Sequence, residues 1–77
     1  MKWVKHIRIR HLFTEEEDYE SVKQCMGDIA TVLEAEKFPK YLTKPCRNIP
    51  EEYSLAVANN ILNDIYDYAD MERIWIE

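Results

Sequence analysis

Metal binding is the first chemistry to consider, because the sequence contains two histidines and two cysteines. They are His6, His11, Cys25 and Cys46. A structural zinc site needs four such ligands, commonly in close pairs. His6 and His11 are an odd number of residues apart, so on an extended strand they point to opposite faces. We therefore expect no metal site and no cofactor.

Cys46 is the candidate nucleophile, since Lys44 or Arg47 beside it could lower the pKa of its thiol. Nucleophilic catalysis also needs a base and an orienting partner. Gly27 is the one glycine in the chain, which leaves few positions for an anion-binding loop. We therefore expect no enzymatic activity. Without an export signal both thiols should be reduced, Cys25 in the core and Cys46 in a loop.

Rows of carboxylates are the most distinctive surface feature that the sequence predicts. The two clusters are Glu15, Glu16, Glu17, Asp18 and Glu20 at the first predicted helix, and Asp64, Asp67, Asp70 and Glu72 at the second. Each cluster taken singly is explained by a helix face exposed to solvent. At the first cluster, acidic residues at a helix N-terminus also interact favourably with the helix dipole. The alternative is that carboxylates at one-turn spacing occupy a groove built for phosphates. It predicts that Glu16, Glu17, Glu20 and the second cluster contact a basic partner.

Aromatic residues supply the candidate apolar anchors of such a contact. The chain has five tyrosines and two tryptophans, the residue types that dominate interface hot spots. Tyr66 and Trp75 are the two that we expect to meet the partner. Core packing is the alternative for both, because a core this small needs large side chains to fill it.

Basic residues are segregated from acidic ones. Residues 1–13 and 37–47 each carry four positive charges and no acid, although the whole chain has a net charge of −5. The candidates for nucleic-acid binding or for pairing along a strand edge are Lys5, Arg8, Arg10, Lys44 and Arg47. The acidic balance argues against a dedicated DNA-binding protein. It suits a protein with a basic partner.

The first two elements that must position these groups are a strand and a helix. In residues 2–13, apolar and polar side chains alternate with period two around Ile7 and Ile9. This pattern predicts a strand with one buried face. Thr14 and Glu17 have the spacing of a capping box, so the helix should begin there and run to about Glu36. Gly27 within it indicates close packing against another element.

The second half predicts an ordered loop, a helix and a short strand. Residues 39–50 hold all three prolines and should be anchored on the core by Tyr41, Leu42 and Ile49. Asn48 should cap the second helix. Its buried stripes are Leu55, Ala58, Leu62, Ile65 and Ala69, flanked by Val57, Ile61 and Tyr68. At the end of the chain Ile74 and Ile76 alternate with Arg73, Trp75 and Glu77, which predicts a short strand over residues 73–77.

Together these elements predict one α+β domain spanning residues 1–77. Each helix reverses the chain, so the order is β-α-α-β, with a two-stranded antiparallel sheet from the chain termini covered by a helical hairpin. No apolar run is long enough to span a bilayer. We expect a cytoplasmic protein with no membrane contact, and an open sheet edge that could form a homodimer.

Stoichiometric binding is the function that this pattern favours. We expect a small non-enzymatic inhibitor or regulator that binds a protein partner with a basic surface. The specific version is a phage-encoded, acidic DNA mimic directed at a host nucleic-acid-binding complex, like the inhibitors of CRISPR effectors. The alternatives are a nucleic-acid-binding domain that uses the basic strand and loop, and a structural homo-oligomeric subunit.

Overall fold

The computed structural model describes residues 12–72, and this part of the chain is helical. Its elements are helix α1 (Tyr19–Ala35), helix α2 (Lys40–Thr43), a 3-10 turn (Lys44–Arg47) and helix α3 (Ser54–Glu72). Of residues 12–72, 72% are helical and none belongs to a strand. The predicted α+β fold, a sheet covered by a helical hairpin, is therefore wrong. Apart from Leu12 and Phe13, which are irregular, both predicted strands lie outside the described residues.

In residues 12–72, the buried faces of the two long helices are covered by other helices and by the segments that join them. Helix α1 packs against α2, the 3-10 turn and α3. Of the stripe predicted for the second helix, Ala58, Leu62, Ile65 and Ala69 are buried and Leu55 is half-buried. One cluster contains the buried apolar residues Phe13, Val22, Cys25, Met26, Ile29, Ala30, Leu33, Phe38, Leu42, Cys46, Ile49, Ala58, Leu62, Ile65, Tyr66 and Ala69. Within residues 12–72, no helix combines the length and apolarity that crossing a bilayer requires.

The N-cap of helix α1 lies four residues later than predicted, at Asp18 and not at Thr14. The Thr14 backbone N–H donates to Glu17 Oε2 (3.0 Å) and the Glu17 N–H donates to the Thr14 carbonyl (3.1 Å), which closes a separate turn. Asp18 is the actual N-cap, because its carboxylate accepts the Ser21 N–H at 2.7 Å. That hydrogen bond holds the pKa of the Asp18 carboxyl below its usual value.

Helix α1 ends in a Schellman motif in which a lysine occupies the position usually taken by glycine. Phe38 N–H donates to the Leu33 carbonyl (3.0 Å) and Lys37 N–H to the Glu34 carbonyl (3.1 Å). Lys37 has φ 63°, the left-handed region that disfavours residues with a Cβ. The buried Phe38 then turns the chain into α2.

Replacing Lys37 with glycine should therefore raise the free energy of unfolding by about 1 kcal/mol. Urea denaturation followed by circular dichroism measures the change. The same substitution at Lys44, where φ is −59°, is the matched control and should lower stability, because glycine gains nothing in a right-handed conformation. Destabilisation by Lys37→Gly would contradict the strain at this position.

Gly27 does not serve close packing, so that prediction is wrong. A Cβ built at Gly27 meets nothing within 4 Å, and α1 continues through it as regular helix. We expect Gly27→Ala to raise the free energy of unfolding by about 1 kcal/mol, since glycine has the lower helix propensity. Thermal and urea denaturation test this expectation, with Gln24→Ala at an exposed position as a control for alanine elsewhere on α1. A less stable Gly27→Ala protein would mean that a neighbour needs this space.

The proline-bearing segment is ordered, as predicted, but it is folded into α2 and the 3-10 turn. Leu42 and Ile49 are buried as expected, whereas Tyr41 is 70% exposed and does not anchor the core. Asn48 does not cap α3: its side-chain amide donates to the Lys44 carbonyl (3.1 Å) and closes the 3-10 turn. Tyr19 Oη also donates to the Ile49 carbonyl (2.9 Å). Helix α3 consequently begins only at Ser54.

The side chain of Asn59 on α3 hydrogen-bonds the backbone of the chain before α1. The Asn59 amide accepts from Phe13 N–H (2.9 Å) and donates to the Phe13 carbonyl (3.0 Å). Both hydrogen bonds are half-buried, and the Phe13 ring is 5% exposed. This pairing holds the Phe13 backbone against α3, and the Phe13 side chain lies in the core.

Candidate functional site

A cleft of about 300 Å³ lies between α2 and α3. We call it the α2–α3 cleft, and its lining residues are Tyr41, Leu42, Asp64, Asp67, Tyr68 and Met71. Leu42 is buried and Tyr68 is half-buried, whereas the other four are exposed. The cleft therefore combines an apolar base with exposed aromatic, thioether and carboxylate groups.

Helix α3 supplies four of the six lining residues through its repeat. Asp64, Asp67, Tyr68 and Met71 are spaced by three, one and three residues, which places them on one face. The core residues Leu62, Ile65 and Ala69 occupy other positions of the same helix. Burial of those residues holds α3 in place, so the cleft face is presented by a packed element and not by a loop.

Tyr68 is held in position by the end of α1. Its ring lies against Phe38, with ring centroids 5.3 Å apart and an interplanar angle of 56°. Aromatic pairs favour tilted arrangements of this kind. Phe38 is itself fixed by the Schellman motif, so the termination of α1 orders one wall of the cleft.

Exposed apolar side chains converge on this cleft. Among the described residues the exposed large hydrophobics are Leu12, Tyr41, Tyr53 and Met71. Two of them line the cleft, Tyr41 at 70% and Met71 at 74% exposure, although they are far apart in sequence. Contiguous exposed apolar surface rimmed by polar residues is typical of an interaction site.

The predicted acidic row on α3 is divided by the structure. Asp64 and Asp67 line the cleft, whereas Asp70 and Glu72 are exposed outside it. Tyr66, predicted as a surface anchor, is 1% exposed; it belongs to the core, and that prediction is wrong. Trp75 lies outside the described residues.

The first acidic cluster does not line the cleft. Glu16 is exposed in the turn before α1, Glu20 is exposed in the first turn of α1, and Glu17 is half-buried. Glu17 also accepts the Thr14 N–H, and Asp18 caps α1. Local hydrogen bonding thus accounts for two of these carboxylates.

The basic candidates are only partly described. Lys44 is exposed. Arg47 makes an ion pair with Glu34 (2.7 Å) and donates to Thr31 Oγ1 (3.2 Å), which ties the 3-10 turn to α1. Lys5, Arg8 and Arg10 lie outside the described residues, as do His6 and His11. The predicted basic surface and edge pairing therefore stay predictions.

Neither cysteine has the surroundings of a catalytic thiol. Both are free and buried. Cys46 lies in the 3-10 turn, so its expected position in a loop is wrong. Burial raises the pKa of the Cys46 thiol to about 11, outweighing the lowering effect of Arg47, and burial likewise raises the pKa of Cys25 to about 11. The thiols are thus protonated near neutral pH and poorly nucleophilic. Among residues 12–72, no three His, Cys, Asp or Glu side chains are grouped to hold a metal ion.

Sequence patterns identify Asp64 and Asp67 but miss the aromatic and thioether groups beside them. They predict a core position for Tyr41, and they assign no role to Met71. A signal is present in the helical spacing from Asp64 to Met71, but only the tertiary structure brings Tyr41 to that face.

Comparisons with protein-family models, curated proteins and solved structures found no match.

Proposed function

We propose that this protein is a non-enzymatic binding domain that docks a basic segment of a partner protein in the α2–α3 cleft. The observation that carries the proposal is the convergence of exposed Tyr41 and Met71 with the carboxylates of Asp64 and Asp67 on one cleft. Apolar side chains of the partner would contact Leu42, and its positive charges would meet the carboxylates. Buried apolar area would supply affinity, and charge complementarity would supply selectivity.

Inhibition or regulation is the role that we propose for this binding. A domain that occupies a basic surface with carboxylates prevents that surface from binding phosphates. Asp64, Asp67 and Asp70 are all exposed along α3, which supports a partner whose basic surface binds nucleic acid. The net charge of −5 would favour such an encounter through long-range attraction.

Peptide selection tests the proposal, because it samples many partner sequences at once. Peptides selected from a random display library on the immobilised full chain should combine Lys or Arg with apolar residues. Their affinity, measured by calorimetry, should fall by about tenfold or more, or about 1.4 kcal/mol, in a Tyr41→Ala, Met71→Ala variant. Tyr53→Ala is the matched control, because Tyr53 is 81% exposed and does not line the cleft.

Three outcomes would contradict the proposal. The first is selected peptides that lack positive charge. The second is equal sensitivity to the cleft variant and to Tyr53→Ala. The third is self-association of the wild-type chain that the cleft variant abolishes in light scattering, since the occupant would then be a second copy of this chain.

A further inference from the structure

The α2–α3 cleft combines two kinds of group that recognise the same cation. Tyr41 and Tyr68 present aromatic rings, whose faces attract positive charge. Asp64 and Asp67 add two carboxylates one helical turn apart, with about 5 to 6 Å between Cβ atoms at this spacing. The cleft volume of about 300 Å³ lies at the small end of ligand pockets, which suits one inserted side chain.

We propose that the partner's anchor in this cleft is an arginine side chain. The inference rests on the proposed function and names the residue by which the basic segment is held. A guanidinium group is planar, so it stacks on a tyrosine ring, and its fork of N–H donors can reach two carboxylates. A lysine ammonium is a compact and more strongly hydrated charge that makes fewer of these contacts together.

The apolar part of the cleft fits the remainder of the arginine side chain. Its methylene groups can lie along Leu42 and the Met71 thioether while the charged head remains at the carboxylates. Tyr68 is already held against Phe38 at 5.3 Å, so little ordering of this ring is needed on binding. Recognition would depend on both charge and shape.

Small probes of matched shape test this inference on the full chain. N-acetylarginine amide, N-acetyllysine amide and N-acetylcitrulline amide are titrated into isotope-labelled protein and followed by NMR. The arginine probe should shift the resonances of Leu42, Asp67 and Tyr68 and bind about fivefold more tightly than the lysine probe. The citrulline probe keeps the shape without the charge and should produce no comparable shifts.

Charge-matched variants locate the binding. Asp64→Asn with Asp67→Asn should abolish the arginine shifts. Glu51→Gln with Glu52→Gln removes the same charge from exposed positions before α3 and should leave them intact. Both variants keep side chains of similar size, so folding is checked by their spectra in the absence of probe.

The outcomes separate this inference from the proposed function. If lysine and arginine probes shift the cleft resonances with equal affinity, the arginine assignment is overturned and docking of a basic segment stands. If no cationic probe shifts these resonances, or if the shifts survive in the Asp64, Asp67 variant, the arginine assignment is overturned. Binding of selected peptides by the wild-type chain, and not by the Tyr41, Met71 variant, would still support the proposed function.

Discussion

Replacing Tyr66 with alanine is expected to lower the free energy of unfolding by about 3 to 5 kcal/mol, the range for removing a buried aromatic side chain. Tyr66 is 1% exposed on α3, so its removal leaves a cavity that rigid neighbours cannot fully fill. A single core in a domain of this length supplies roughly 3 to 5 kcal/mol. The variant should therefore be largely unfolded, with loss of helical circular dichroism at room temperature.

Two further tyrosine variants keep this expectation falsifiable. Tyr66→Phe retains the buried ring and should recover most of the stability. Tyr53→Ala removes a ring that is 81% exposed and should change the free energy of unfolding by less than about 0.5 kcal/mol. Equal stabilities for Tyr66→Ala and Tyr53→Ala would contradict the core position of Tyr66 and return it to the surface.

Replacing Asn59 with alanine should cost about 2 kcal/mol of stability. The Asn59 amide satisfies both the N–H and the carbonyl of Phe13, at 2.9 and 3.0 Å. Alanine would remove both hydrogen bonds from these half-buried backbone groups, and a typical hydrogen bond contributes about 1 kcal/mol to stability. The Phe13 side chain should also no longer be held in its position in the core.

Urea denaturation and amide hydrogen exchange together measure this loss. The Phe13 amide should exchange much faster in Asn59→Ala than in the wild-type chain. Asn60→Ala is the neighbouring control, because Asn60 is exposed, and it should change stability by less than about 0.5 kcal/mol. An unchanged exchange rate at Phe13 in Asn59→Ala would show that this side chain does not hold the segment.

The long helices were predictable because their apolar stripes are long and regular. The starts of both helices were not, for a local reason in each case. A Thr14–Glu17 turn with the spacing of a capping box does close, but Asp18 accepts the Ser21 N–H and becomes the true cap. Asn48 bonds the carbonyl of Lys44 and not the start of α3. Asp18 and Asn48 are both residue types that commonly cap helices. Only Asp18 caps one here, whereas Asn48 closes the 3-10 turn.

The predicted fold class is wrong because a stripe shows that a face is buried but not what buries it. In the terminal segments apolar and polar residues alternate with period two, a pattern typical of strands. It therefore favours a sheet that packs on the apolar faces of α1 and α3. In residues 12–72 these faces are covered by each other, by the segment containing Leu42, Cys46 and Ile49, and by Phe13. Three prolines in one segment favour a loop, yet none of them prevents the short α2 and the 3-10 turn.

The candidate site is predictable in its charged half alone. Acidic residues on an exposed helix face are visible in the repeat of α3, which is why the sequence identifies Asp64 and Asp67. Tyr41 is on α2, and nothing local in its sequence distinguishes an exposed tyrosine from a buried one. Its proximity to Met71 depends on the packing of α2 against α3, a long-range contact that no pattern in the sequence indicates.

Methyl NMR of the methionines reports directly on docking in the α2–α3 cleft. Met71 is 74% exposed in the cleft, whereas Met26 is fully buried in the core, so one chain carries both the probe and its internal control. Saturating amounts of a selected basic peptide should shift the Met71 methyl resonance and leave that of Met26 unchanged. An unchanged Met71 resonance in the presence of bound peptide would show that the peptide docks elsewhere and would contradict docking in the α2–α3 cleft.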